Sequence, residues 1–184
     1  MSVKAPNDKI GWKAPTFNLL SVDDNYYRLE NLLGECGTVI AFICNHCPYV
    51  ISIAERLSYE AKELKKIGVN TIAIMSNNFL AYPEDSFENM KIFALKYNFN
   101  FPYLLDDSQE IAKKYKAICT PDIYGFNKKA ELQYRGRIDS GTMNNNNKNI
   151  KRDLYYAMKY IAINNTGPSN QFNSFGCSIK WKKL

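Results

Sequence analysis

Histidine is nearly missing from this chain: His46 is the one imidazole among 184 residues. Chemistry that needs two imidazoles, such as a His-rich metal centre or a paired histidine acid and base, is excluded. Long apolar runs are missing as well. The most apolar stretches, such as VIAFIC at 39–44, are only strand-length, so no membrane span is expected. The opening MSVKAPNDKIGWKAP carries no apolar core of the signal type, so no secretory leader is expected. The sequence also lacks a basic stripe interleaved with aromatics. Its 24 Lys and Arg residues are scattered apart from Lys180, Lys182 and Lys183, so the net charge of +6 reads as a solvated surface and no nucleic-acid partner is expected. The five cysteines are odd in number, and no second Cys-x-x-Cys occurs. A structural disulfide framework is therefore not expected, and a cytoplasmic home with mostly reduced thiols is.

What is present suffices for one folded domain. Apolar residues make up 46% of the chain, enough to bury a sizeable core. APTFNLLSVDDNYYRLENLLG reads as a strand, a turn at 23–25, a second strand and a short helix. TVIAFIC (38–44) and NTIAIMS (70–76) are continuous apolar runs that suit strands buried on both faces. Between them, Val50, Ile53, Ala54, Leu57, Ala61 and Leu64 recur at helical spacing, with Gly68 as the stop. Further on come a helix capped at Asp85-Ser86, a strand in FPYLLDD and a short helix capped by Ser108. A hairpin turning at 127–129, an NNNN linker at 144–147 and a last helix in NIKRDLYYAMKYIAIN follow. The order predicts a mixed sheet with helices on both faces, in a domain over 1–164 with a tail, 165–184, packed on it.

The chemistry concentrates in ICNHCPYV, residues 43–50. Cys44 and Cys47 fall where a buried strand ends and a helix begins. Unpaired backbone N–H groups and the positive end of the dipole stabilise a thiolate there. Cys44, coming first, is expected to be the more exposed and the ionised thiol, with His46 beside it favouring the thiolate. In exchange, one thiolate attacks a substrate disulfide and the second cysteine resolves the mixed disulfide. Two other readings carry less weight. A zinc half-site from Cys44, His46 and Cys47 lacks a second pair of ligands, and two inert buried thiols are always available to a core. Haem attachment needs a histidine directly after the second cysteine, where Pro48 stands.

Four segments carry a family resemblance: APTFNL at 14–19, NHCPYV at 45–50, CTPDIYGFN at 119–127 and GCSIKWK at 176–182. Together they resemble the thioredoxin-fold redoxins of the alkyl hydroperoxide reductase/thiol-specific antioxidant superfamily, in a peroxiredoxin-like branch. The resemblance implies an α/β fold, a thioredoxin-like three-layer sandwich with a mixed central sheet and an N-terminal β extension. It also implies a cis Thr120–Pro121 bond against the Cys44–Cys47 pair, with the Thr120 backbone free to bind an extended peptide. The chain departs from both parent patterns. Peroxiredoxins place Pro and Thr seven and three residues before a reactive cysteine at the position of Cys47, and here those positions hold Ile40 and Cys44. Thioredoxins carry a buried Asp and a Trp ahead of the first cysteine, where this chain has Thr38 and Ile43.

The expected activity is a thiol–disulfide oxidoreductase acting through Cys44, Cys47 and His46 on a protein or small-molecule thiol. The alternatives are a thiol peroxidase using Cys47 and a redox-inactive binding module. Thr120 and Pro121 are the candidate substrate contacts. Cys119 and Cys177 are candidate secondary redox thiols, each with a packing role as the plainer reading. No cofactor, metal or membrane partner is expected, and nothing here fixes the oligomeric state. Arg135 and Arg137 lie on one face of a strand, as an anion contact or, more simply, a solvated face.

Overall fold

The computed structural model describes residues 2–6, 10–143 and 150–183. The expected NNNN linker lies outside the described residues. In chain order the elements are β1 (Ser2–Lys4), β2 (Asn18–Ser21), β3 (Tyr26–Arg28), β4 (Gly37–Phe42), α1 (Pro48–Lys65), β5 (Val69–Met75) and α2 (Phe87–Lys96). They continue with β6 (Tyr103–Leu105), α3 (Glu110–Lys114), β7 (Cys119–Thr120), β8 (Asp122–Asn127), β9 (Leu132–Gly136), α4 (Asp153–Asn164) and β10 (Phe175–Ser178).

The main sheet runs β3-β2-β6-β5-β4-β8-β9. Parallel pairing joins β4 to β5 and β5 to β6, and β8 runs antiparallel to β4. This is the mixed sheet the sequence predicts, with the β2–β3 hairpin as its N-terminal extension. The central strand β4 is buried along its whole length, and its alternation divides the core. Val39 and Ala41 face one layer with Val50, Ala54 and Leu57 of α1 and Leu154 and Met158 of α4. Ile40 and Phe42 face the other, with Ile111 and Ala112 of α3, Tyr115, Tyr124 and Phe126. The three layers are complete.

Local details follow from residue chemistry. Gly68 ends the α1 connection at φ +76°, and a Cβ there would lie 2.9 Å from Cys36 Sγ, so glycine alone fits this turn. Ser86 caps α2, accepting the Asn89 N–H at 3.4 Å, whereas Asp85 turns inward. Ser108 does cap α3, its Oγ accepting the Glu110 N–H at 3.3 Å, and Asp106 joins it, its carboxylate accepting the Ile111 and Ala112 N–H groups at 3.3 and 2.9 Å. Arg135 is not on a solvated face: it is buried, pairs with Asp122 at 2.7 Å and stacks over the Tyr124 ring. Arg137 pairs with Asp153 at 2.7 Å.

A second sheet is present that the sequence pattern does not announce. Three short strands, β1-β10-β7, form it beside the main one, with the tail strand β10 in the middle. Beyond β10 the tail is held by polar clamps. Asn77 and Gln109 accept the Lys180 and Lys182 N–H groups at 2.9 and 2.7 Å.

Candidate active site

Strand β4 delivers the chain, through Ile43, to Cys44, and α1 starts at Pro48, so Cys47 is the N-cap of that helix. Pro48 suits the first turn because its missing N–H would have no helical acceptor. Both sulfurs converge on one residue of β7. Cys44 Sγ lies 3.2 Å from Thr120 Oγ1, and Cys47 Sγ lies 3.2 Å from the Thr120 carbonyl oxygen. The Thr120–Pro121 bond is cis. The residues picked from sequence, Cys44, Cys47, His46, Thr120 and Pro121, thus meet in one place.

The order of the two thiols is reversed from expectation. Neither is exposed: Cys44 is 1% and Cys47 0% accessible. The sulfur that ionises readily is Cys47, pulled down to about 5. The main cause is the hydrogen bond from the Cys44 thiol; the Cys177 thiol and the Val50 and Cys177 N–H groups add to it, against burial. The contact with the Thr120 carbonyl opposes ionisation, but four donors at a helix N-terminus outweigh one lost acceptor. Cys44 is pushed well up, by donating to Cys47, then by burial and the Asp85 charge. His46 does lie beside Cys44, a ring nitrogen within 4.8 Å of its Sγ. Its Nδ1 turns to Asp85, 2.8 Å from Oδ2 but off the line of a hydrogen bond, and the ring stacks on Tyr82 at 5.5 Å.

Asp85 is the residue the sequence concealed, because PEDS reads locally as the start of a helix. It is fully buried and accepts the Asn45 N–H at 2.8 Å and the Asn77 side-chain amide at 2.8 Å. Asn45 also accepts the Tyr103 hydroxyl at 2.9 Å and donates to the Glu84 carbonyl at 3.0 Å. This network fixes the loop that carries both cysteines. Cys44 Sγ, a His46 ring nitrogen and an Asp85 oxygen lie within 4.8 Å of one another, so these three residues could offer ligand atoms to a divalent cation.

The secondary thiols separate. Cys119 is fully buried, donates weakly to the Pro121 carbonyl at 3.7 Å and is pushed far up by burial, which makes it a packed and unreactive thiol. Cys177 is half-buried, sits opposite Thr120 in the β7–β10 pair and is pushed up to about 11 by burial and by Cys47. The edge of Thr120, expected to be free for a peptide, is therefore occupied by the chain's own β10. Beside it a cavity of about 320 Å³ opens between Tyr49, Ser52, Pro121, Arg137 and Phe175.

The family model for the AhpC/TSA family matches residues 10–136. An uncharacterized conserved protein from Geobacillus kaustophilus is 40% identical, with a TM-score of 0.95 over 100% of this chain and 98% of that one. A hypothetical protein from Sinorhizobium meliloti 1021 is 32% identical, with a TM-score of 0.92 over 97% and 98%. The thioredoxin domain of a thiol-disulfide oxidoreductase from Bacteroides vulgatus shares the fold at 14% identity, with a TM-score of 0.66 over 85% of this chain and 99% of that one. No curated protein matches.

Proposed function

The chain belongs to the AhpC/TSA family of thioredoxin-like redoxins, and from that premise we propose that it is a thiol–disulfide oxidoreductase cycling between a Cys44–Cys47 dithiol and its disulfide. One observation carries this reading: the two sulfurs meet over Thr120, each 3.2 Å from one of its oxygens, with surroundings that favour the charge on Cys47. A thiolate hydrogen-bonded to its partner thiol is one oxidation away from a disulfide. A leaving group with so low a pKa also makes that disulfide easy to reduce, so the protein acts better as an oxidant than a pair of ordinary thiols would.

In the exchange, a substrate thiolate attacks one sulfur of the Cys44–Cys47 bond, and a second substrate thiol completes the transfer. The substrate leaves as a disulfide and the protein as a dithiol. Protein or small-molecule thiols are the substrate class. Asp85 and Asn45 position the loop, and His46 sits between Asp85 and the Cys44 sulfur.

One feature favours a second reading, a thiol peroxidase. The ionised sulfur is Cys47, the position at which the resembling peroxiredoxins carry their reactive cysteine. Stopped-flow peroxide consumption separates the two. The oxidoreductase reading expects slow consumption. Rapid turnover that survives Cys44→Ser but not Cys47→Ser would reverse the ordering.

A further inference from the structure

We propose that Cys177 is the third thiol of the exchange centre: strand β10 holds it where an extended substrate peptide would lie, and exchange with an outside thiol passes through it. This rests on the dithiol reading above.

Accessibility is the first reason. Cys44 and Cys47 are sealed, whereas Cys177 is half-buried. Of the three thiol residues, Cys177 is the one with surface open to solvent.

Strand geometry is the second. β10 pairs antiparallel with β7, placing Cys177 opposite Thr120, the residue on which Cys47 Sγ rests at 3.2 Å. The Cys177 thiol and main-chain N–H lie near enough to Cys47 to help hold its charge. Two further contacts pin β10 across the mouth of α1. Phe175 packs edge-on against Tyr49 at 5.3 Å. Gly176 approaches so closely that an added Cβ would stand 2.0 Å from the Thr120 carbonyl oxygen and 2.9 Å from the Pro121 nitrogen. Backbone cannot yield there, so the register needs glycine at 176.

The chemistry balances without an added oxidant. Starting from the Cys44–Cys47 disulfide, the Cys177 thiolate attacks Cys47 Sγ. The Cys47–Cys177 bond forms, the Cys44–Cys47 bond breaks, and Cys44 leaves and takes up the proton that Cys177 released. An outside thiolate then attacks Cys177 Sγ and forms a mixed disulfide there. Cys47 departs as the thiolate its surroundings favour. A second outside thiol attacks the mixed disulfide, giving the outside disulfide and free Cys177. Overall, two outside thiols are oxidised and one protein disulfide is reduced. Part of what holds Cys177 protonated is the Cys47 charge, and that charge is absent while Cys47 is in a disulfide. With burial still opposing it, the attacking thiol ionises more easily in the state that needs it than in the reduced one.

The test uses the full chain, oxidised and then mixed with excess glutathione, quenched in acid, alkylated and mapped by mass spectrometry. The proposal expects the glutathione adduct on Cys177, and a Cys47–Cys177 disulfide in oxidised Cys44→Ser. Cys177→Ser should still form the Cys44–Cys47 disulfide but be reduced by glutathione at least about tenfold more slowly. Gly176→Ala, which keeps all three thiols and displaces the strand, should show the same slowing. An adduct on Cys44 or Cys47 with an unchanged rate in Cys177→Ser overturns the relay and leaves the dithiol reading standing. A wild-type chain in which no Cys44–Cys47 disulfide forms at any glutathione ratio overturns both.

Discussion

Replacing Cys44 with Ala removes the largest contribution that keeps Cys47 ionised, and the effect can be sized. Cys47 sits at about 5, with the Cys44 thiol as the leading donor. A hydrogen bond to a charged group contributes about 1.5–3 kcal/mol. Each pKa unit corresponds to about 1.4 kcal/mol, so the midpoint should rise by about one to two units. Cys44→Ser keeps a donor in place and should stay nearer the wild-type value. His46→Ala should leave it unmoved, because the imidazole faces Asp85. The assay is thiolate absorbance near 240 nm followed against pH in the reduced protein. One thiolate should titrate near pH 5 and vanish in Cys47→Ser. A wild-type midpoint near that of a free thiol, about 8.5, would refute the reasoning. So would a low-pH thiolate that persists in Cys47→Ser.

Two further outcomes follow from the same geometry. Between pH 5 and the much higher titration of Cys44, the reduced pair binds one proton per two electrons. The reduction potential should therefore fall by about 30 mV per pH unit above pH 5 and by about 59 mV per unit below it; a single slope through pH 5 would contradict the assignment. For stability the direction is the opposite, a gain as pH rises. A depressed pKa stabilises the reduced fold fully above the unfolded thiol's pKa of about 8.5, and that contribution is lost as pH falls through 5. Separately, Arg135→Met or Asp122→Leu should each cost about 3–5 kcal/mol by urea denaturation, since each strands a buried charge. The double replacement should cost clearly less than the sum of the two.

The main sheet was legible because its strands are continuous apolar runs and its long helix keeps a regular apolar spacing. Val39–Ile43 and Ile72–Met75 could hardly be anything else. The CNHC loop stood out for its position at a strand–helix junction. Three things were hidden. Which sulfur ionises depends first on the Cys44 thiol as donor and then on donors from Cys177 and Val50, and Cys177 is too distant in sequence to be foreseen there. Asp85 looked like a cap because a buried carboxylate and a capping one share the same local sequence. The small sheet escaped because strands of two to four residues have too little alternation to be seen, and its pairings join opposite ends of the chain.

That small sheet has a mechanical consequence. β1 and β10 close a loop that spans nearly the whole chain, from Ser2 to Cys177, on three register pairs. Loop closure of that length is entropically dear, and so few pairs return little. Local opening is drawn from such weakly held regions, so β1 and β10 should peel off well before the main sheet loosens. Hydrogen exchange would see this as early loss of protection at 175–178. With β10 lifted, Thr120 gains an unoccupied edge. A chain sealed against folded partners at rest then becomes, for a small fraction of the time, one that can be threaded by an unfolded chain.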